Sequence, residues 1–298
     1  MFSCPTSLTA KSIVRNGVNS IASEIEKKLN ADLCWYCGGI NDVFIQKLPS
    51  AIESLALNKD RHDKLAFVLT TTGGSIEIAE HAVDVIRHFY DIVYFIVPDM
   101  AMSAGTIICL SGDEIFMRYT ACLGPIDTQV WTGDQYISAS AYLEKIEELI
   151  RKSRSGAGPY GGISHAEMNL LLQQDLGRIA SYEQAANLAK DLACKWLVAY
   201  KFKNWVEHER RSGHPLVTQK EKEDRAEEIV NLLSNNVFWH SHARRISMET
   251  LKRDLRLKIL DISSDSELDN RLCSYHSVLR DFITTQNVTD YFHNKCYF

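Results

Sequence analysis

The chain has 298 residues, 45% hydrophobic and 24% charged, the balance of a soluble globular protein large enough for a full core. A net charge of −5 argues against a basic nucleic-acid surface. No apolar run reaches the ~20 residues needed to span a bilayer. The first residues lack a basic flank leading into an apolar segment, so a cytoplasmic location is the default expectation.

Eight cysteines run from Cys4 to Cys296 without a pairing pattern, as free thiols do in a reducing compartment. Cys34 and Cys37 form a CxxC, but no second pair completes a zinc site. On a strand, residues three apart point to opposite faces, so the pair reads as structural.

In chain order, Ile13, Val18, Ile21, Ile25 and Leu29 give residues 7–30 a helical apolar stripe. Asp32–Cys37 reads as a short strand with Gly38-Gly39 as its turn. Asn41 is a plausible N-cap for a helix through Leu57, with a kink expected at Pro49. Residues 58–64 form a loop. Leu65–Thr71 and Ile92–Val97 are buried-strand runs, each ending in a small-residue turn that enters an apolar helix. The first turn is Thr72-Gly73-Gly74-Ser75 and the second is Ala101-Met102-Ser103-Ala104-Gly105. Runs rather than alternation indicate a parallel sheet covered on both faces.

Glu114–Met117 and Cys122–Leu123 are further short strands. From Ser138 the pattern becomes helical, with helices ending near a flexible stretch at 153–162 and resuming over 164–180 and 182–211. A polar boundary at 211–215 precedes a helix from Thr218 to Leu233, with Thr218 and Glu221 spaced as a capping box. Residues 245–259 read as a capped helix leading into a short strand, and 265–298 as an amphipathic helix with a polar, aromatic tail. The expected organisation is an N-terminal helical arm (1–30), an α/β domain (31–262) with a helical insertion over about 138–235, and a C-terminal helical extension (263–298).

Two turns carry chemistry. Ser103 opens a helix among small neighbours, where a hydroxyl gains from the helix dipole and a substrate backbone can approach; a bare N-cap serine has the same signature. Gly73-Gly74 could turn backbone amides outward as an oxyanion hole. Adjacent parallel strands would set both turns side by side at the carboxyl edge of the sheet, where α/β folds place their sites.

The segments Thr72–Ser75, Ala101–Thr106 and Leu123–Gln129 resemble the ClpP/crotonase-fold serine peptidases, and most of all the serine dehydrogenase proteinase family. The likeness covers 65–129 and returns weakly at 240–251 and 255–257. It implies a ClpP/crotonase-like repeated ββα core with a parallel sheet and added helices. It also implies Ser103 as nucleophile, with Gly73, Gly74 and Ala104 forming the oxyanion hole. In the Clp subunit a histidine follows the serine by a strand-length, where this chain has Ile126-Asp127. The serine, aspartate, histidine order of the serine dehydrogenase proteinases can be supplied by Ser103, Asp127 and His242.

Histidine suits the base because it exchanges a proton near neutral pH, and a carboxylate fixes its tautomer. Each residue also has a plainer reading: Asp127 as a structural carboxylate, His242 as a surface-loop histidine. His240 is a second candidate base, or one half of an H-x-H metal pair. Lys152 is an alternative base, as in a serine–lysine dyad, and Asp175 an alternative acid. No cofactor or metal is expected. The implied activity is serine endopeptidase hydrolysis of peptides or unfolded protein, by a homo-oligomer with subunit contacts through the N-terminal arm and the C-terminal helix. Two other classes stay open: an inactive ClpP-like scaffold or sensor that binds peptides, and a crotonase-like enzyme of acyl thioesters. The latter needs no serine.

Overall fold

The computed structural model describes residues 10–131, 136–156, 162–208 and 215–297. The flexible stretch expected over 153–162 and the boundary expected over 211–215 lie largely outside these. The first half of the chain builds α1 (Ala10–Leu29), β1 (Asp32–Cys37), α2 (Asp42–Ala56), β2 (Lys64–Thr70), α3 (Ile76–Phe89), β3 (Ile92–Val97), β4 (Met100–Ala101), α4 (Ala104–Leu110), β5 (Glu114–Met117) and β6 (Cys122–Leu123). Then come β7 (Gln129–Trp131), β8 (Tyr136–Ser138), α5 (Ala139–Arg154), α6 (His165–Leu172), α7 (Leu176–Trp196) and α8 (Gln219–Leu233). The chain closes with α9 (Asn236–Trp239), β9 (Ile246–Ser247), α10 (Met248–Arg253), β10 (Leu260–Asp261), α11 (Ser266–Thr285) and β11 (Tyr291–His293).

The main sheet has the order β10-β5-β3-β2-β1-β11, parallel throughout except for β11. Both faces are covered, which is why its strands read as apolar runs. Tyr36, Phe67 and Phe95 point into one core beneath α2, α3, α4 and α7. Leu33, Trp35, Val68 and Ile96 point into the other, beneath α1 and α11. The mixed α/β class with a parallel-dominated sheet is thus as expected. Cys34 and Cys37 stand in opposite cores, as the pleat requires. Among the described residues no helix is long and apolar enough to cross a membrane.

Several elements differ from the sequence reading. The helical region after Ser164 breaks at residues 173–175, because Asp175 caps a new helix by accepting from the Gly177 and Arg178 amides. Ile246–Ser247, expected to be helical, pairs with β6 as a strand. The terminal segments expected as an arm and an extension form one of the sheet's two helical layers, so the apolar faces of α1 and α11 are buried within the chain. The aromatic tail adds β11 to the sheet edge: Phe292 lies 4.5 Å from the Tyr36 ring and 5.5 Å from the Phe44 ring. A polar surround hides this strand from pattern reading.

Phe292→Ala is expected to cost about 3–5 kcal/mol in urea unfolding, as emptying a packed aromatic site does; a solvated tail would show almost no change. A second outcome concerns His276. Burial pushes its imidazole down from 6.5 to about 4, and the neutral ring accepts the Trp35 indole N–H at 3.1 Å. The unfolded chain binds this proton more readily. The associated stability is therefore present above pH 6.5 and is lost as pH falls towards 4, by at most about 3 kcal/mol. His276→Gln should flatten that part of the stability–pH curve.

Candidate active site

A second, three-stranded sheet of order β4-β6-β9 stands at the carboxyl end of the main one. Ala101 pairs with Leu123, and Leu123 with Ile246. Ser103 follows its paired residue by two positions. Asp127 lies four positions after Leu123, and His242 four before Ile246. Because β6 and β9 are antiparallel, those last two offsets extend the same register. Sequence-distant residues thereby meet: His242 Nδ1 is 2.8 Å from Asp127 Oδ1. Asp127 is buried, while the His242 side chain is 25% exposed. Gln129 Nε2 approaches the other carboxylate oxygen at 3.5 Å.

The turns after β2 and β3 lie side by side, as adjacent parallel strands dictate. Thr71 donates its amide to Met100 O, and Met102 donates to Thr71 O, both at 3.0 Å. Gly73 has φ +101, and a Cβ there would meet Met102 O and Ser103 Cβ at 2.8 Å, so only glycine fits. The Gly73 amide donates to Thr71 Oγ1 at 3.0 Å. Thr106 Oγ1, fully buried, lies 2.8 Å from Ala101 O and 2.9 Å from Gly124 O, and accepts from Gly124 N. That hydroxyl pins the Ser103 turn to the loop that carries Asp127.

Ser103 has φ +51 and ψ −118, a conformation that non-glycine residues avoid. It stands at the N-cap position of α4 but makes no side-chain capping bond. Ser75, Ser138 and Ser164 do make one at their helices. The Ser103 hydroxyl is therefore not committed to the helix. It lines a cleft of about 610 Å³ with Gly74, Ala104, Ile107, Ala189 and His242. His242 also borders a neighbouring cavity of about 810 Å³ beside α5 and α9, whose walls include Asp127, Glu144 and His240. The expected insertion thus contributes α7 to the cleft and α5 to the cavity.

The structure does not bring the alternative residues to this cleft. Lys152 is exposed at the end of α5, 2.8 Å from Glu148 and 3.7 Å from Glu167. The Glu148 carboxylate holds its ammonium above the ordinary lysine value, the opposite of what a lysine base needs. Asp175 is the exposed cap of α7. His240 is the exposed left-handed cap of α9 and borders the neighbouring cavity rather than the Ser103 cleft. Among the described residues no group of three or more acidic, histidine or cysteine side chains could hold a metal.

Sequence reasoning missed the roles of Thr71, Thr106 and Gln129. A hydroxyl residue two positions before a glycine was the one available signal, since such side chains bond the backbone two residues on.

Residues 52–153 match the model of the ClpP-like SDH-type serine proteinase family. Over that segment the resemblance read from the sequence is borne out. An uncharacterized protein of Methanocaldococcus jannaschii is 34% identical over 85 residues, 28% of this chain and 28% of that protein. The chain thus spans little more than a quarter of the curated relative it matches. Among solved structures, a mutant of the 1510-N membrane-bound stomatin-specific protease aligns at 20% identity and a TM-score of 0.31, covering 39% of this chain and 60% of that one. The ClpP protease catalytic domain of Plasmodium falciparum aligns at 14% identity and a TM-score of 0.32, covering 62% and 83%.

The backbone at Ser103 gives a direct test of strain. Ser103→Gly is expected to be about 1 kcal/mol more stable than Ser103→Ala, since glycine alone tolerates the positive φ. Equal urea midpoints would show that the turn is unstrained.

Proposed function

We propose that this chain is a serine endopeptidase that hydrolyses peptide bonds through an acyl-enzyme on Ser103. The observation that carries the reading is an uncommitted serine hydroxyl sharing one cleft with an imidazole whose far nitrogen is held by a buried carboxylate. With Nδ1–H donated to Asp127, His242 presents Nε2 as the acceptor for the serine proton. Ser103 Oγ then attacks the scissile carbonyl, and the oxyanion is received by amides of the glycine turn and Ala104. His242 returns its proton to the leaving amine. Water attacks the ester by the same route in reverse, releasing the acid and restoring Ser103. The chemistry needs no cofactor.

Peptides or unfolded protein segments are the proposed substrates, for which α7 walls the cleft and α5 the cavity beside it. A homo-oligomer in the cytoplasm is part of the proposal. Its contacts would involve surfaces other than the buried faces of α1 and α11.

A fluorophosphonate probe should label the protein at Ser103, with no labelling of Ser103→Ala or of denatured protein. His242→Ala and Asp127→Ala are expected to slow labelling by 100-fold or more, whereas Lys152→Ala and Asp175→Ala leave it unchanged. Folded wild-type protein that never labels would replace this reading with the peptide-binding scaffold.

A further inference from the structure

We infer that the Thr71 hydroxyl selects the oxyanion donors, withdrawing the Gly73 amide from the cleft and leaving the Gly74 and Ala104 amides to receive the charge. Thr71 is then a positioning residue of the site, and the inference rests on the serine-peptidase reading.

Three observations converge on it. First, the Gly73 N–H is already directed at Thr71 Oγ1, 3.0 Å away, in a buried contact. Gly73 is itself buried and does not line the cleft, whereas Gly74 does. Breaking that bond to serve a substrate would strand a buried hydroxyl acceptor, so the reaction gains nothing from Gly73 that the turn does not lose.

Second, the orientation of Gly74 follows from its neighbours. Ile40 donates to Gly73 O and accepts from Ser75 N, each at 2.9 Å, which makes Gly74 the bridged residue of a parallel pair. In such a pair the N–H of the bridged residue points away from its partner strand. The Gly74 amide therefore turns from Ile40 towards the side where the Ser103 turn lies. Among the described residues it has no hydrogen-bond acceptor. Ala104 is the first residue of α4, ahead of the helix's own ladder, and its amide is in the same position. Both residues line the cleft with Ser103.

Third, every functional part of Thr71 is engaged with these two turns. Its amide and carbonyl bond Met100 and Met102, and its hydroxyl bonds Gly73. Its methyl packs so closely on Gly105 that a Cβ there would come within 2.3 Å. Threonine alone offers that methyl and that acceptor from one Cβ. Valine keeps the branch and loses the acceptor; serine keeps the acceptor and loses the methyl.

The experiment follows backbone amides by NMR in protein labelled with 15N at glycine and alanine. In the unmodified wild type the Gly73 amide should exchange with solvent at least tenfold more slowly than that of Gly74. This difference should vanish in Thr71→Val and survive in Thr71→Ser. After covalent labelling with the fluorophosphonate, whose phosphoryl oxygen occupies the oxyanion position, the Gly74 and Ala104 amide protons should move downfield and Gly73 should not. Turnover of a peptide substrate by Thr71→Val should fall at least tenfold in kcat with little change in KM, and Thr71→Ser should recover most of it.

Equal exchange at Gly73 and Gly74 in the wild type overturns the inference, as does a downfield shift of Gly73 on labelling. Equal losses in the valine and serine variants also overturn it, because they would assign the effect to packing. A wild type that does not label at Ser103 overturns the peptidase reading instead, and with it the proposed role of these amides.

Discussion

The site depends on the register of three very short strands. β4, β6 and β9 contribute two residues each to their sheet, yet their pairing decides whether the Asp127 carboxylate meets the His242 imidazole beside the Ser103 turn. A one-residue slip of β9 against β6 would turn each of its side chains to the other face and carry His242 away from Asp127. Such short strands cannot hold register by their own hydrogen bonds. The burial of Leu123, Ile246 and Met248 does so, together with the bond from Ile126 N to Leu233 O that anchors the Asp127 loop to α8. The geometry of the cleft is thus an outcome of packing several residues away from it.

The same dependence explains what could be read from the chain beforehand. β1, β2 and β3 announce themselves as apolar runs because both of their faces are covered, and the Asn41 and Thr218 caps carry local hydrogen-bond chemistry that sequence displays directly. Ser103 and the glycine pair were legible for the same reason: a turn that needs small residues and positive φ advertises them. β9 and β11 were not legible as strands. Each is defined by a partner more than a hundred residues away, and nothing local distinguishes Ile246-Ser247 from a helix start. The Asp127–His242 contact belongs to this second group, and only a family resemblance put those two residues on one page.

Small polar side chains do much of the fine placement around the cleft. Thr106 ties two loops together from a position with no exposure at all, and Thr71 joins one turn to the next. Buried hydroxyls of this kind are costly if left unpaired, so they tolerate few alternative backbone arrangements. That intolerance helps to hold Ser103 in a backbone conformation it would otherwise leave.

The main sheet ends in a three-residue antiparallel strand on one side and a two-residue strand on the other. Stubs of that length give a foreign strand almost nothing to zip onto. Neither rim of the main sheet thus favours a second copy continuing its ladder, which guards those two edges against fibrous growth.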